Sequence, residues 1–176
     1  ADVDAGALAI RSWYAEQGHR DVQVVPRLAE RYAEADDAGL GVVSVDVTVE
    51  IDEGSETTIG AVGFSGNGAF AASALSALVD TQVGASYFAP RLAADRERLR
   101  AHYLNEGYET VQIDVVERFE DNGTTVNVMF HLTEGAQVGV DHVLVVGTNQ
   151  VSPSTVRSEM TLRPGDPLGL DEVAET

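Results

Sequence analysis

Val45-Asp46-Val47-Thr48-Val49-Glu50-Ile51-Asp52-Glu53-Gly54 returns later in the chain as Val126-Asn127-Val128-Met129-Phe130-His131-Leu132-Thr133-Glu134-Gly135, an offset of 81 positions (134 − 53 = 81). Apolar residues hold every second position in both stretches, the mark of a strand with one buried face, and both end in Glu-Gly. Working outward, Gly66 recurs as Gly147 and Gly84 as Gly165 at the same offset (147 − 66 = 165 − 84 = 81). Self-similarity at a fixed period predicts a row of small modules, each packing mainly on itself and touching its neighbours. Such a row reads as a scaffold before it reads as a catalyst.

Composition narrows the function classes. The 176 residues include 29 acidic and 11 basic side chains, all of the latter Arg, for a formal charge of −18. An acidic surface repels phosphate backbones, so nucleic acid is excluded as an expected partner. No cysteine is present, which excludes disulfides and thiolate metal sites without identifying the compartment. No apolar run approaches the roughly 18 residues of a membrane span. The chain opens with Ala1-Asp2 rather than Met and shows no signal peptide, as expected of a processed or excised fragment.

One module is legible along the chain. Ile59 to Phe64 predicts a short strand ending in the turn Ser65-Gly66-Asn67-Gly68. Ala71, Ala74, Leu75 and Leu78 fall at i, i+3, i+4 and i+7, one helical stripe. The later copy supports that helix start, because Ser152 can cap it and Pro153 suits the first helical position. Gly84 breaks the chain before a second helix, about Pro90 to Glu106, with Leu92, Leu99 and Tyr103 on one face and Gly107 as its stop. Arg96, Glu97, Arg98 and Arg100 read as its solvated face.

Val111, Ile113 and Val115 then alternate with polar residues, and Asp121-Asn122-Gly123 turns the chain back into Val126 to Leu132, forming a hairpin. The order strand, helix, helix, strand, strand predicts an α+β fold: a three-stranded mixed sheet with two antiparallel helices on one face. The last strand is expected at the centre and the second at an edge.

The first copy tests the edge assignment. Aligning Gly18 with Gly107 gives an offset of 89 (107 − 18 = 89), which matches Tyr14 to Tyr103 and Val22 to Val111. The change from 89 to 81 places eight extra residues near Arg31 to Gly41 (89 − 81 = 8). Pro26 then falls in the second strand, and proline is confined to edges and bulges.

Gly66-Asn67, Gly84 with Tyr87, Leu92, Asp95, Leu99 and Tyr103, Gly107-Tyr108, the hairpin and Glu134-Gly135 together resemble the polypeptide-transport-associated (POTRA) repeat. Gly147-Thr148-Asn149, Val151-Ser152, Leu162 and Gly165-Asp166-Pro167-Leu168 repeat its opening. Two departures are Phe88, where a polar residue is usual, and Thr148, which separates Gly147 from Asn149. The resemblance implies tandem βααββ modules: a partial one at 1–54, a complete one at 55–135 and a partial one at 136–176. The last is expected to hold a first strand, a first helix and the start of a second helix.

Tandem copies with this spacing look most like the BamA-like assembly-factor branch, related to the TamA-like proteins, with a POTRA-bearing two-partner secretion or cell-division interaction module as the alternative and a dinucleotide-binding enzyme fragment as a further reading. That likeness implies a non-enzymatic periplasmic arm preceding an outer-membrane β-barrel. Unfolded outer-membrane proteins and accessory assembly lipoproteins are the implied partners, with no cofactor.

The candidate binding surface is the edge strand Thr110, Val111, Gln112, Ile113, Asp114, Val115 and Val116, whose free N–H and C=O groups can pair with an extended client. Asp114, Glu117 and Arg118 also suit an edge protected against aggregation. Glu53, Gly54, Glu134 and Gly135 mark the junctions between modules, read either as a fixed bend or as a simple turn between strands. Gly66-Asn67-Gly68-Ala69-Phe70-Ala71 fits G-x-G-x-x-A after a strand, yet a second helix follows where a dinucleotide fold needs a parallel strand. Gly63-Phe64-Ser65-Gly66-Asn67 approaches G-x-S-x-G without its last glycine. His19, His102, His131 and His142 lack metal-ligand spacing, and Asp52, Glu53 and Glu56 lack the alternating ligands of a Ca²⁺ loop.

Overall fold

The computed structural model describes residues 2–32, 43–147, 152–160 and 162–169. Helix α1 (Asp2–Glu16) leads into strands β1 (Gln23–Tyr32) and β2 (Val43–Asp52). Strand β3 (Thr58–Ser65), helices α2 (Ala72–Ser76) and α3 (Ala89–Asn105), and strands β4 (Gln112–Glu120) and β5 (Thr125–Thr133) follow, then helix α4 (Pro153–Glu159).

The three-stranded sheet has the order β3-β5-β4, so the last strand is central and β4 lies at an edge, as the pattern predicts. Thr57 Oγ1 donates to Gly123 O, Thr58 N–H donates to Thr124 O, and Ser65 bonds His131. Each pair is 66 positions apart, and a constant offset means that β3 and β5 run in the same direction. Asp121, Asn122 and Gly123 all take positive φ (51°, 57° and 91°), reversing the chain from β4 into β5. One parallel and one antiparallel neighbour make the sheet mixed.

Two compact units divide the chain, the first formed by 1–60, 83–89 and 118–127, the second by 61–82, 90–117 and 128–176. In the second unit Val128, Phe130 and Leu132 alternate with exposed Met129 and His131, and join Leu75, Val79, Leu92, Leu99, Tyr103, Val111 and Ile113 in the core. Phe64 stacks on Phe130 with ring centroids 5.4 Å apart. Each such aliphatic or aromatic burial contributes on the order of 1.5–3 kcal/mol, as an upper estimate.

In the first unit Val22 and Val24 are buried, as their counterparts Val111 and Ile113 are. Pro26 sits opposite Val49 in a two-stranded antiparallel ladder, so among the described residues its strand is paired on one side alone, in keeping with the edge rule. Val47 is 49% exposed whereas its counterpart Val128 is 2% exposed. The difference follows from what lies beside β2: among the described residues no third strand joins the β1-β2 sheet.

Two expectations are corrected. Helix α2 spans five residues, and of its stripe only Leu75 is buried, Leu78 being half-buried and Ala71 and Ala74 exposed. The cause lies in its last turn, where Ala77 and Leu78 donate to Ala74 and Leu75 in tighter i to i−3 bonds. The next free amides, of Asp80 and Thr81, then donate to the buried Asp95 carboxylate at 2.8 and 2.9 Å. Asp95 also accepts the Thr81 hydroxyl and Arg98 Nη1, and Arg98 reaches Asp80 as well, so this arginine belongs partly to the α2–α3 connection and not only to a solvated face.

The second correction concerns residues 138–146, which form no strand ladder but a single bridge from Gly139 to Pro167. Leu144 and Val146 are 82% and 77% exposed there, because no described strand pairs alongside them. Helix α4 starts as expected, with Ser152 Oγ accepting from Thr155 N–H at 3.2 Å and Pro153 in the first turn. The eight-residue insertion near Arg31 to Gly41, the Thr148-Asn149 turn and the start of a later second helix lie wholly or mainly outside the described residues.

Phe130→Ala should cost about 3–5 kcal/mol in urea unfolding, by lost transfer energy plus a cavity. Val47→Ala, on an open face, should cost less than about 1 kcal/mol in the same measurement.

Candidate functional site

Strand β4 owes its edge position to chain order, since β5 is paired on both sides and β4 on one. The strand starts at Gln112. Thr110 and Val111 form the turn leading into it, where Val111 N–H donates to Tyr108 O at 3.2 Å and the Val111 side chain is buried. From Gln112 to Val116 no backbone bond outside the sheet is recorded among the described residues. Ile113 faces the core while Gln112, Asp114 and Val116 are exposed.

The opposite edge is treated differently. Along the start of β3, Ile59 N–H donates to Ala85 O and Gly84 N–H donates to Ile59 O, both at 2.8 Å, and Thr58 bridges Ser86. The chain therefore covers the first residues of that edge with its own backbone, whereas no described strand pairs along the outer side of β4.

The two Glu-Gly pairs, Glu53-Gly54 and Glu134-Gly135, do more than turn the chain. Glu134 at the end of the central strand accepts the Tyr103 hydroxyl at 2.8 Å and the Ala69 N–H at 3.0 and 3.1 Å. Glu53 accepts the Tyr14 hydroxyl at 2.8 Å, the same contact at the copy offsets of 81 and 89. Gly135 has φ of +75° and its missing Cβ would strike Thr110 Oγ1, so glycine is required after the glutamate. Past each Glu-Gly pair the pattern holds: Thr57 N–H donates to Gly18 O at 2.9 Å, and Val138 N–H donates to Gly107 O at 2.8 Å. Arg20 adds its guanidinium over the Phe119 ring at 4.4 Å.

The glycine-rich turn gains its explanation here. Ala69 N–H, which a bound phosphate would need, donates to the protein's own Glu134 carboxylate, and Asn67 Nδ2 closes the turn onto Phe70 O at 2.9 Å. Ser65 and His131 pair across the exposed sheet surface, with no carboxylate recorded on His131 among the described residues. His142 pairs with exposed Asp141, and no group of three or more metal-ligating side chains occurs among the described residues. No helix among them is long and apolar enough to cross a membrane. Sequence reasoning missed the Tyr–Glu clasp, although both pairs stood at the repeat offsets.

Burial first, then the Glu134 hydrogen bond and charge, push the Tyr103 phenol well above its ordinary range. The Glu53 hydrogen bond raises Tyr14 in the same direction. A raised phenol favours the fold in its neutral form, so its contribution is complete below the unfolded pKa of about 10 and fades as pH rises beyond it. Wild-type urea midpoints should therefore fall above about pH 10, and Tyr103→Phe should flatten that decline. At neutral pH the same variant should lose roughly 1–2 kcal/mol, because Glu134 forfeits its phenol partner.

Residues 57–135 match the family model for POTRA, described as a surface antigen variable number repeat. A protein of Treponema pallidum (strain Nichols) described as an outer membrane protein assembly factor is 26% identical over 164 residues, which are 93% of this chain and 19% of that protein. The chain thus spans about a fifth of that relative's length. The POTRA3-5 segment of Haemophilus influenzae BamA superposes with a TM-score of 0.52 at 19% identity, covering 99% of this chain and 66% of that one. The N-terminal domain of Omp85 from Thermosynechococcus elongatus gives 0.44 at 20% identity, over 97% and 66% of the two chains. The BamA segment shares the fold, and the POTRA family model falls on residues 57–135, the stretch where, among the described residues, sheet order, capping turn and clasp are all complete.

Proposed function

We propose that this chain is part of a periplasmic arm of an outer-membrane protein assembly factor, carrying modules at 1–54, 55–135 and 136–176 ahead of an outer-membrane β-barrel. Its work is to hold extended, unfolded outer-membrane proteins by strand addition along β4, alongside accessory assembly lipoproteins, without chemistry of its own. The carrying observation is the open edge at Gln112–Val116 in a sheet whose opposite edge is bridged at its start by Gly84–Tyr87.

Backbone pairing reads no particular side chains, which suits one protein serving many clients. The described role of the Treponema pallidum relative supports the same reading. Replication of the Tyr–Glu clasp and of the glycine carbonyl bonds at both junctions supports a semi-rigid arm, since short, bonded connectors restrict the angles that neighbours adopt.

Hydrogen exchange on the chain mixed with an unfolded β-barrel peptide tests the proposal. Every second amide from Gln112 to Val116, those pointing away from β5, should gain protection, while those of β5, already paired on both sides, should not change. Unaltered exchange at β4 with saturating peptide would overturn strand addition here.

A further inference from the structure

The open edge has a charged wall. Arg96, Glu97 and Arg100 of α3 line a groove of about 340 Å³ together with Val111, Gln112 and Ile113 at the start of β4. In a chain of net charge −18, four of the 11 basic residues (Arg91, Arg96, Arg98 and Arg100) lie on this one helix. Arg98 is committed to Asp80 and Asp95. Arg96 holds its neighbour Glu97 at 2.8 Å in an exposed pair, which a better acceptor can displace at little cost. Arg100 is exposed and has no recorded partner among the described residues.

The spacing of the two arginines fits an extended ligand. Positions four apart on a helix share a face, with Cβ atoms about 5–6 Å apart. Alternate residues of a strand point the same way, about 6.6–6.8 Å apart. A strand lying along β4 would thus present every second side chain to Arg96 and Arg100. Its other side chains would share the face of exposed Asp114, where a carboxylate is repelled.

We infer that this edge selects client strands bearing acidic side chains at alternate positions, two carboxylates docking on Arg100 and Arg96. The inference rests on the strand-addition reading and adds to it the chemistry of the preferred client: an extended polypeptide, acidic on one face and uncharged or basic on the other. Local basic charge within an acidic chain is what distinguishes this groove from a plain backbone edge, and it also steers such a client toward β4 from solution.

The test uses two short peptides of alternating Val and Thr character, one with Glu at two alternate positions and its twin with Gln there. Exposed ion pairs of this kind, two together, should make the Glu peptide about fivefold tighter at low salt. That preference should shrink to about twofold or less in Arg100→Gln and vanish in about 0.5 M salt. Arg100 lies on the solvent side of α3, so circular dichroism should show the variant folded. Hydrogen exchange at Gln112–Val116 separates the two claims. If both peptides protect β4 equally and Arg100→Gln changes nothing, acid selection is wrong and strand addition stands. If neither protects β4, both fall.

Discussion

The Glu134 carboxylate is the point on which the complete repeat depends. One side chain at the end of the central strand receives the Tyr103 hydroxyl from α3 and the Ala69 amide from the turn after β3. Three segments distant in sequence are fixed by one ion. Charge-assisted bonds of this kind are shorter and stronger than neutral ones, and their directionality sets the angle at which the helix end meets the strand end. Aromatic packing reinforces the same corner, where Phe70 meets Tyr103 edge-on at 4.9 Å and Tyr108 lies 5.5 Å from Tyr103. The contact between Tyr14 and Glu53 shows that the clasp belongs to the repeat unit and not to one copy of it.

Much of the architecture was legible because strands and helices announce themselves by period. Val126, Val128, Phe130 and Leu132 predicted the central strand, and all four are buried. Ser152-Pro153 predicted a helix start that the structure reproduces, and Pro26 predicted a strand with an unpaired side. These features are local: each depends on a few neighbouring residues and on steric or hydrogen-bonding preferences that survive in any context.

What the periodicity did not reveal was the destination of the acids. Asp95 and Glu134 stand in a chain crowded with carboxylates, and on composition each belongs to a solvated face. Apart from Arg98 beside Asp95, their partners lie 14 or 15 and 31 or 65 residues away, so only tertiary structure shows that one caps the α2–α3 connection and the other ties the end of β5 to α3 and the turn after β3. The short α2 follows from the same blindness, because a stripe of Ala and Leu says nothing of an acceptor that draws the next two amides out of the helix. On the candidate site, the sequence located the open strand to within two residues but read Arg96 and Arg100 as plain surface charge. Their significance comes from lying beside that strand.

The bridge from Gly84–Tyr87 to the start of β3 has a consequence for solubility. Fibrous polymerisation of sheets proceeds by addition at both rims, each newcomer exposing a fresh template for the next. A module obstructed on one rim by its own backbone would have a valence of one: a strand added at its other rim would find no full-length route to a further copy of the same module. Such a module would terminate a ladder where it begins.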